Sequence, residues 1–296
     1  MDYLIQLVFF EEFPLYIGRM NKLIELAESL VSSGDRYIED HGPLQFHEVA
    51  HDLLKEGRLH EVYRYEDLVK DSFNEDFNLV QNYPSLQFSD FPVTLAMGKH
   101  CFLDLYFWRR RPTTIHNHHF TGAFQCLEGV NVDLEFEYLK SESIGAFHDL
   151  GEVKLKNSRR LVKGDIAKID LLDKFIHQNH HQAELTINAC FRTPDIGSVN
   201  LSNYLYSGLR LEQHPDLIDR VSRLMGFINI GDFDVKTLNL TTDDAIHFLI
   251  RTYKSSSRSK MFLDVRNFMK TLVTADIDAL MGQHELKMQE LENEYN

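Results

Sequence analysis

The feature that most constrains this chain is a change of hydrophobic period near residue 86. From Leu86 to about Pro194 the apolar residues fall into short runs rich in Val, Ile, Phe, Tyr and Thr: FPVTLAMG, HCFLDLYFW, TTIHNHHF, GAFQCLEG, VNVDLEFEYL, GEVKLK, GDIAKIDL and AELTINACFR. Several alternate strictly, as Val130, Val132, Leu134 and Phe136 do, which is the two-residue period of a strand with one buried face. Glycines or charge clusters punctuate the runs about every ten residues, a spacing that predicts an antiparallel sandwich or barrel.

The flanks read differently. Between Pro14 and Ser33, residues Ile17, Leu23, Ile24, Leu26, Ala27 and Leu30 recur at steps of three and four, an amphipathic helix with Gly34 as its stop. Further helical stretches are expected over Phe46–Tyr63 and Tyr65–Phe73, running into the turn-rich FNEDFNLVQNYPS. After Ser207 the helical period returns: Thr241, Thr242, Asp243 and Asp244 offer caps for AIHFLIRTY, Ser257 could start RSKMFLDVRNFMKTLV, and a charged helix follows from about Asp276. The expectation is an α+β chain with a helical region over 1–85, a β-barrel over 86–207 and a helical region over 208–296.

Composition narrows the function. With 31 basic against 45 acidic residues in 296, the net charge of −14 repels a polyphosphate backbone, so no nucleic-acid partner is expected. The dense basic run Arg109–Arg111 reads as a solvated strand end or as a clamp for an anionic ligand. Cys101, Cys126 and Cys190 show no CxxC spacing and suit reduced thiols in the cytoplasm. The apolar start MDYLIQLVFFEEF lacks a basic segment, so neither a signal peptide nor a membrane-spanning helix is expected. The patterns GxGxxG, GxxxxGK[ST], HExxH and GxSxG are absent, which removes the simple nucleotide, zinc-protease and α/β-hydrolase readings.

One constellation remains. His116 and His118 flank Asn117, and side chains two apart on a strand share a face, so both imidazoles can converge on one metal ion. Fifteen histidines scattered at random over this length would give about one such pair, so position has to add weight. After His118 come three residues and then Gly122, followed by six residues and then Gly129. Some sixty residues on, Gly164 opens a turn and His177 precedes a β segment, with His180 and His181 close enough to replace it.

In these residues the chain resembles the cupin superfamily over about 88–195. His116, His118, Gly129, Gly164 and His177 stand in the order of its two motifs, with the second spaced about two residues longer. Gly122 occupies the position where most metal-binding cupins place a Glu ligand, so the set looks like that of the cysteine dioxygenase branch, as does the segment Trp108 with Thr113-Thr114-Ile115-His116. The resemblance implies a double-stranded β-helix barrel holding Fe(II), or another divalent transition metal, on His116, His118 and His177. Arg192 stands about where that branch has a tyrosine, and no counterpart of its carboxylate-binding arginine is found in FPVTLAMG.

The chemistry can be stated from the residues. Three neutral imidazoles leave several coordination positions open and add no charge, which favours an anionic donor such as a thiolate or enolate together with O2. A mononuclear iron oxygenase acting on a small bidentate substrate is the leading expectation. Arg192, or one of Arg109–Arg111, is the candidate for an anionic substrate group, against a structural ion pair. Gln125 reads as a core amide or a contact to metal-bound water, His119 as a residue turned away, Cys126 and Cys190 as small hydrophobes, and Tyr106 and Trp108 as barrel wall. Two other classes stay open: a metal-dependent isomerase or lyase, and a non-catalytic ligand-binding barrel whose helical regions engage a partner or a second copy.

Overall fold

The computed structural model describes residues 13–71, 89–110, 112–196, 201–227, 238–256, 260–271 and 276–295. Helices α1 (Phe13–His41), α2 (Phe46–Gly57), α3 (Leu59–Val62) and α4 (Tyr65–Asp71) precede eleven strands. These are β1 (Phe91–Met97), β2 (Phe102–Arg109), β3 (Ile115–His116), β4 (Gly122–Glu128), β5 (Asn131–Ser143), β6 (His148–Leu161), β7 (Ile166–Ile169), β8 (Ile176–His181), β9 (Leu185–Arg192), β10 (Ser202–Tyr204) and β11 (Leu209–Glu212). Helices α5 (Pro215–Phe227), α6 (Thr242–Ser256), α7 (Lys260–Met269) and α8 (Ile277–Tyr295) follow. The α+β arrangement expected from the sequence, a central β-barrel between two helical regions, is the one observed.

All strand pairings are antiparallel. One sheet runs β1-β2-β9-β4-β7, and the other six strands close on themselves in the order β10-β11-β6-β5-β8-β3. The five-stranded sheet is buried on both faces. Leu103, Leu105, Ile187, Ala189 and Phe191 point to α1 and α2, where they share a core with Ala27, Leu30, Phe46 and Leu54. The alternate positions Tyr106, Trp108, Asn188 and Cys190 point inward and line a cavity. Burial on both faces explains why HCFLDLYFW reads as a nearly unbroken apolar run rather than an alternating one.

Several boundaries differ from the sequence reading. Helix α1 continues through Gly34 to His41. Gly34 serves packing there: a Cβ would lie 2.7 Å from the Phe191 ring and 2.8 Å from the Cys101 sulfur. The stretch expected as one helix over 46–63 breaks at Arg58, which adopts a left-handed φ of 51° and donates its amide to the Leu54 carbonyl. The barrel extends past residue 207, because β11 pairs with both β6 and β10. TTIHNHHF contributes only the two-residue strand β3. The turn-rich 73–85, Arg111 and Ser257 lie outside the described residues.

The C-terminal helices share a second core with the barrel, in which Leu209 and Leu211 of β11 meet Leu217, Val221, Ile246 and Phe248. Helix α6 starts with the predicted cap: Thr241 Oγ1 accepts the Asp244 amide at 3.1 Å and Asp244 Oδ2 accepts the Thr241 amide at 2.9 Å. Asp243 ties this helix to the β5–β6 hairpin by accepting the Ala146 and Phe147 amides at 2.9 and 3.0 Å and His148 Nδ1–H. Burial opposes its ionisation, but these hydrogen bonds outweigh it and hold the carboxyl below its ordinary value.

A group with a depressed folded-state value stabilises above the ordinary carboxylate range, and that contribution fades as the pH falls through the folded value. Asp243→Ala should lower Tm by about 3–8 °C at pH 7, since three donors, the buried His148 among them, lose their acceptor. The gap between wild type and variant should close below about pH 4, as thermal melts across that range would show.

Candidate metal centre

Antiparallel register assembles the site. His116 of β3 stands directly opposite His177 of β8, so the two side chains leave the barrel wall on the same face, about 5 Å apart at Cβ. Alternation past the end of β3 turns Asn117 the other way, where its side chain donates to Asp173 and accepts the Ser202 amide, and returns His118 to the side of His116. The ring centroids lie 4.7, 4.8 and 5.0 Å apart. Their ligand nitrogens all fall within 4.8 Å of one another, and this is the one such group of three found among the described residues.

Hydrogen bonding sets the tautomers. His116 Nδ1 lies 2.8 Å from the Thr114 carbonyl, which can only accept, so Nδ1 carries the proton and Nε2 offers a lone pair. His177 Nδ1 lies 2.8 Å from Asp133 Oδ1, with the same result. His118 Nε2 sits 2.9 Å from His177 Nε2. Two lone pairs at that distance repel unless a proton or a cation lies between them. Nitrogens about 2.1 Å from one ion and at right angles are about 3 Å apart, so the spacing of His118 and His177 fits a shared divalent metal.

Desolvation and the neighbouring imidazoles favour the neutral forms. Burial first, then His177, pushes His116 down to about 3, and burial pushes His118 well below the ordinary histidine value.

No carboxylate joins the group. A Cβ on Gly122 would lie 2.3 Å from the Phe191 carbonyl oxygen and 2.8 Å from Arg192 Cα, so the close pairing of β4 with β9 excludes any side chain where most metal-binding cupins carry Glu. Among the described residues the group is therefore three imidazoles, and the backbones leave no room for a carboxylate at position 122.

The cavity over the imidazoles is about 50 Å³, room for one or two water-sized groups. Tyr106, Trp108, Phe120 and Phe124 make its apolar wall, and Thr113, Asn179 and Asn188 supply polar atoms. Cys190 also faces it, with burial pushing the thiol up to about 12, so the sulfur stays protonated.

The other candidates are placed as follows. His180 turns from the cavity to Gln178 at 3.0 Å, and His181 stacks on Trp108 with centroids 4.7 Å apart, which leaves His177 as the member of the group from β8. His119 pairs with Asp195 at 2.8 Å. Gln125 points to the helical layer, bonding His60 and the Gly164 carbonyl at 3.2 Å each. Cys126 is buried beside the Glu128 and Gly129 carbonyls. Arg109 and Arg110 are exposed at the end of β2. Arg192 is 3% exposed and does not line the cavity. Its guanidinium lies 4.4 Å from the ring centroids of Phe102 and Phe120, and its Nε donates to the Tyr106 hydroxyl at 3.2 Å. It therefore meets the cavity only through wall residues, in place of the direct substrate contact expected of it.

Asp133 and Arg159 were not foreseen. Asp133 is fully buried and sends Oδ1 to His177, while Oδ2 accepts Arg159 Nε and Nη2 at 2.9 and 2.8 Å. Burial opposes its charge, yet His177 and Arg159 hold the carboxyl below the ordinary range. The signal was in the sequence: Asn131, Asp133 and Glu135 are the second face of the alternating strand, a face that an exposed strand would give to solvent.

No family model matches the chain, and no curated protein matches it. Among solved structures, it is similar to a cupin-2 domain protein from Shewanella frigidimarina, with 14% identity, 45% of this chain and 96% of that chain covered and a TM-score of 0.27. A cupin 2 conserved barrel domain protein from Rhodopseudomonas palustris gives 13%, 50%, 86% and 0.28. Hydroquinone 1,2-dioxygenase from Sphingomonas sp. TTNP3 gives 8%, 36%, 68% and 0.28. These likenesses are slight, and the centre is defined by its own geometry.

An imidazole held neutral by burial costs stability below its ordinary value, because the unfolded chain takes up a proton that the folded chain refuses. Metal-free wild type should therefore lose stability as the pH drops below about 6.5, by up to about 1.4 kcal/mol per pH unit for a fully buried ring. His116 and His118 both stay neutral in the folded chain over this range, so each contributes to the slope. Denaturant titrations between pH 7.5 and 5 should give a shallower slope for His118→Gln than for wild type.

Proposed function

We propose that the chain is a mononuclear non-haem iron oxygenase of the cupin kind, related to the three-histidine branch and acting on a small bidentate substrate with O2. The observation that carries this reading is the convergence of three neutral imidazoles with no carboxylate among them. His116, His118 and His177 would hold the metal, and Asp133 would keep His177 in the tautomer that presents Nε2. A ferrous ion there would supply open coordination positions at which substrate and O2 meet, together with one-electron chemistry.

The protein's own residues define what can enter. With no anionic ligand, the charge of a divalent ion is left to be met by the substrate, which favours a thiolate, enolate or carboxylate donor. The small cavity restricts the portion near the metal to a few heavy atoms, and the aromatic wall excludes bulk water from it. Arg192 acts on this reading through Tyr106 and Phe120 and sets the position of the wall. All three cysteines are free and buried, which supports a reducing compartment.

Anaerobic loading with Fe(II) followed by elemental analysis should give close to one iron per chain in wild type, and loss of nearly all of it in His116→Ala, His118→Ala and His177→Ala. O2 uptake with small thiols and other bidentate donors would then establish oxygenation. Turnover without O2 uptake would move the assignment to an isomerase or lyase, and wild type that retains no transition metal under any loading condition would overturn the reading.

A further inference from the structure

A second depression is a surface cleft of about 300 Å³ lined by residues of α2, β5, β6, β7 and the loop before β8. It is separate from the metal cavity but adjoins it, because Phe175 lines the cleft and also packs on His177 with centroids 4.5 Å apart. Its formal charges balance, three carboxylates against three cations, but the two signs differ in how they are engaged. Its carboxylates are engaged: Glu48 with Lys168, Glu135 with Lys156 at 2.8 Å, and Asp170 with the Leu171 amide at 2.6 Å. Two of its cations retain unused donors. Arg159 spends two of its five N–H groups on Asp133, and no hydrogen bond or ion pair engages the Lys174 ammonium among the described residues. Arg159 is also the only residue of the cleft that grips the carboxylate orienting a metal-site imidazole.

We infer that this cleft binds a small oxyanion, a tetrahedral dianion or a dicarboxylate, on Arg159 and Lys174, and that the bound anion is coupled to the metal centre through Asp133 and His177. Three uncommitted N–H groups on a planar guanidinium, with the Lys174 ammonium lining the same cleft, are donors suited to such a ligand. The direction of coupling follows from charge. An anion on the guanidinium neutralises part of the positive field at Asp133, which strengthens the carboxylate as an acceptor of His177 Nδ1–H and makes Nε2 a better donor to a cation. Anion and metal then tighten each other's binding by the same factor. The coupling rests on the metal-centre reading above, whereas the anion site does not.

The test uses the full chain. Sodium sulfate and sodium succinate are titrated into metal-free protein by calorimetry. Co(II) affinity is then measured by competition with a chromophoric chelator in each anion, against sodium chloride at equal ionic strength. The expected result is saturable binding of sulfate or succinate, with the better of the two identifying the class. Co(II) affinity should rise about five-fold, and no anion response should remain in Arg159→Gln. Lys174→Gln, a change at an exposed position that does not threaten folding, should weaken anion binding at least several-fold. Absence of binding by both anions to wild type, or binding unchanged in Lys174→Gln, overturns the site. Anion binding that shifts Co(II) affinity by less than two-fold overturns the coupling. If Co(II) does not bind at all, the metal-centre reading fails and the calorimetry still decides the cleft.

Discussion

The centre depends on one buried charge. Asp133 has no contact with solvent, and an isolated carboxylate in that position would cost several kcal/mol. It is tolerated because each oxygen has a strong partner, His177 Nδ1–H on one and the Arg159 guanidinium on the other. The same arrangement does chemical work. It fixes the His177 proton on Nδ1, aims Nε2 into the cavity, and leaves the site with no net charge from Asp133, since Arg159 cancels it. Register makes it possible: β5 places Glu135 opposite His177 and Asp133 opposite Asn179, so the carboxylate reaches the imidazole diagonally across the strand pair. A slip of one residue in β8 would present Ile176 or Gln178 in place of His177 and put an imidazole on the far side of the sheet.

Much of this was legible in the sequence, to different depths. The strands were legible because alternation and turn spacing are local, and His116 with His118 followed from the two-residue period once the following glycines added weight to it. The order of the motifs points to His177 as the third member, but its place ahead of His180 and His181 rests on the register of β3 against β8, a relation between residues about sixty apart. Gly34 was misread as a helix stop because a glycine that makes room for a neighbouring strand looks the same in sequence as one that ends a helix; only the nearness of Phe191 and Cys101 distinguishes them. Asp133 was overlooked for a related reason. Alternation divides a strand into two faces but does not say whether the polar face meets water or another sheet, and here Asn131 and Asp133 are both fully buried.

Arg192 shows how a sensible chemical expectation can be displaced by one layer of packing. A buried arginine at the end of an inner strand near three imidazoles suits a substrate carboxylate on charge alone. Its guanidinium, however, is taken up by two aromatic faces and the Tyr106 hydroxyl, and Tyr106 in turn donates to Asp104, which Thr94 also supports at 2.7 Å. The result is a polar network behind the aromatic wall that holds its shape, and cavities of this size depend on such rigidity because a side-chain movement of about 1 Å would close them.

The charge of the site then follows from sterics. Phe191 and Arg192 press their backbones against Gly122 so closely that β4 can carry no ligand there, and no cationic side chain lines the cavity. A divalent ion held there would keep its charge, uncompensated by the three imidazoles and by an Asp133 whose charge Arg159 has already neutralised, and on the proposed reading that charge would favour an anionic donor. A centre built this way is sensitive to charge placed some distance away, because little charge nearby masks it. The position of Arg159, with one side on Asp133 and the other on a surface cleft, puts the partner of that buried carboxylate at a place that solutes can reach.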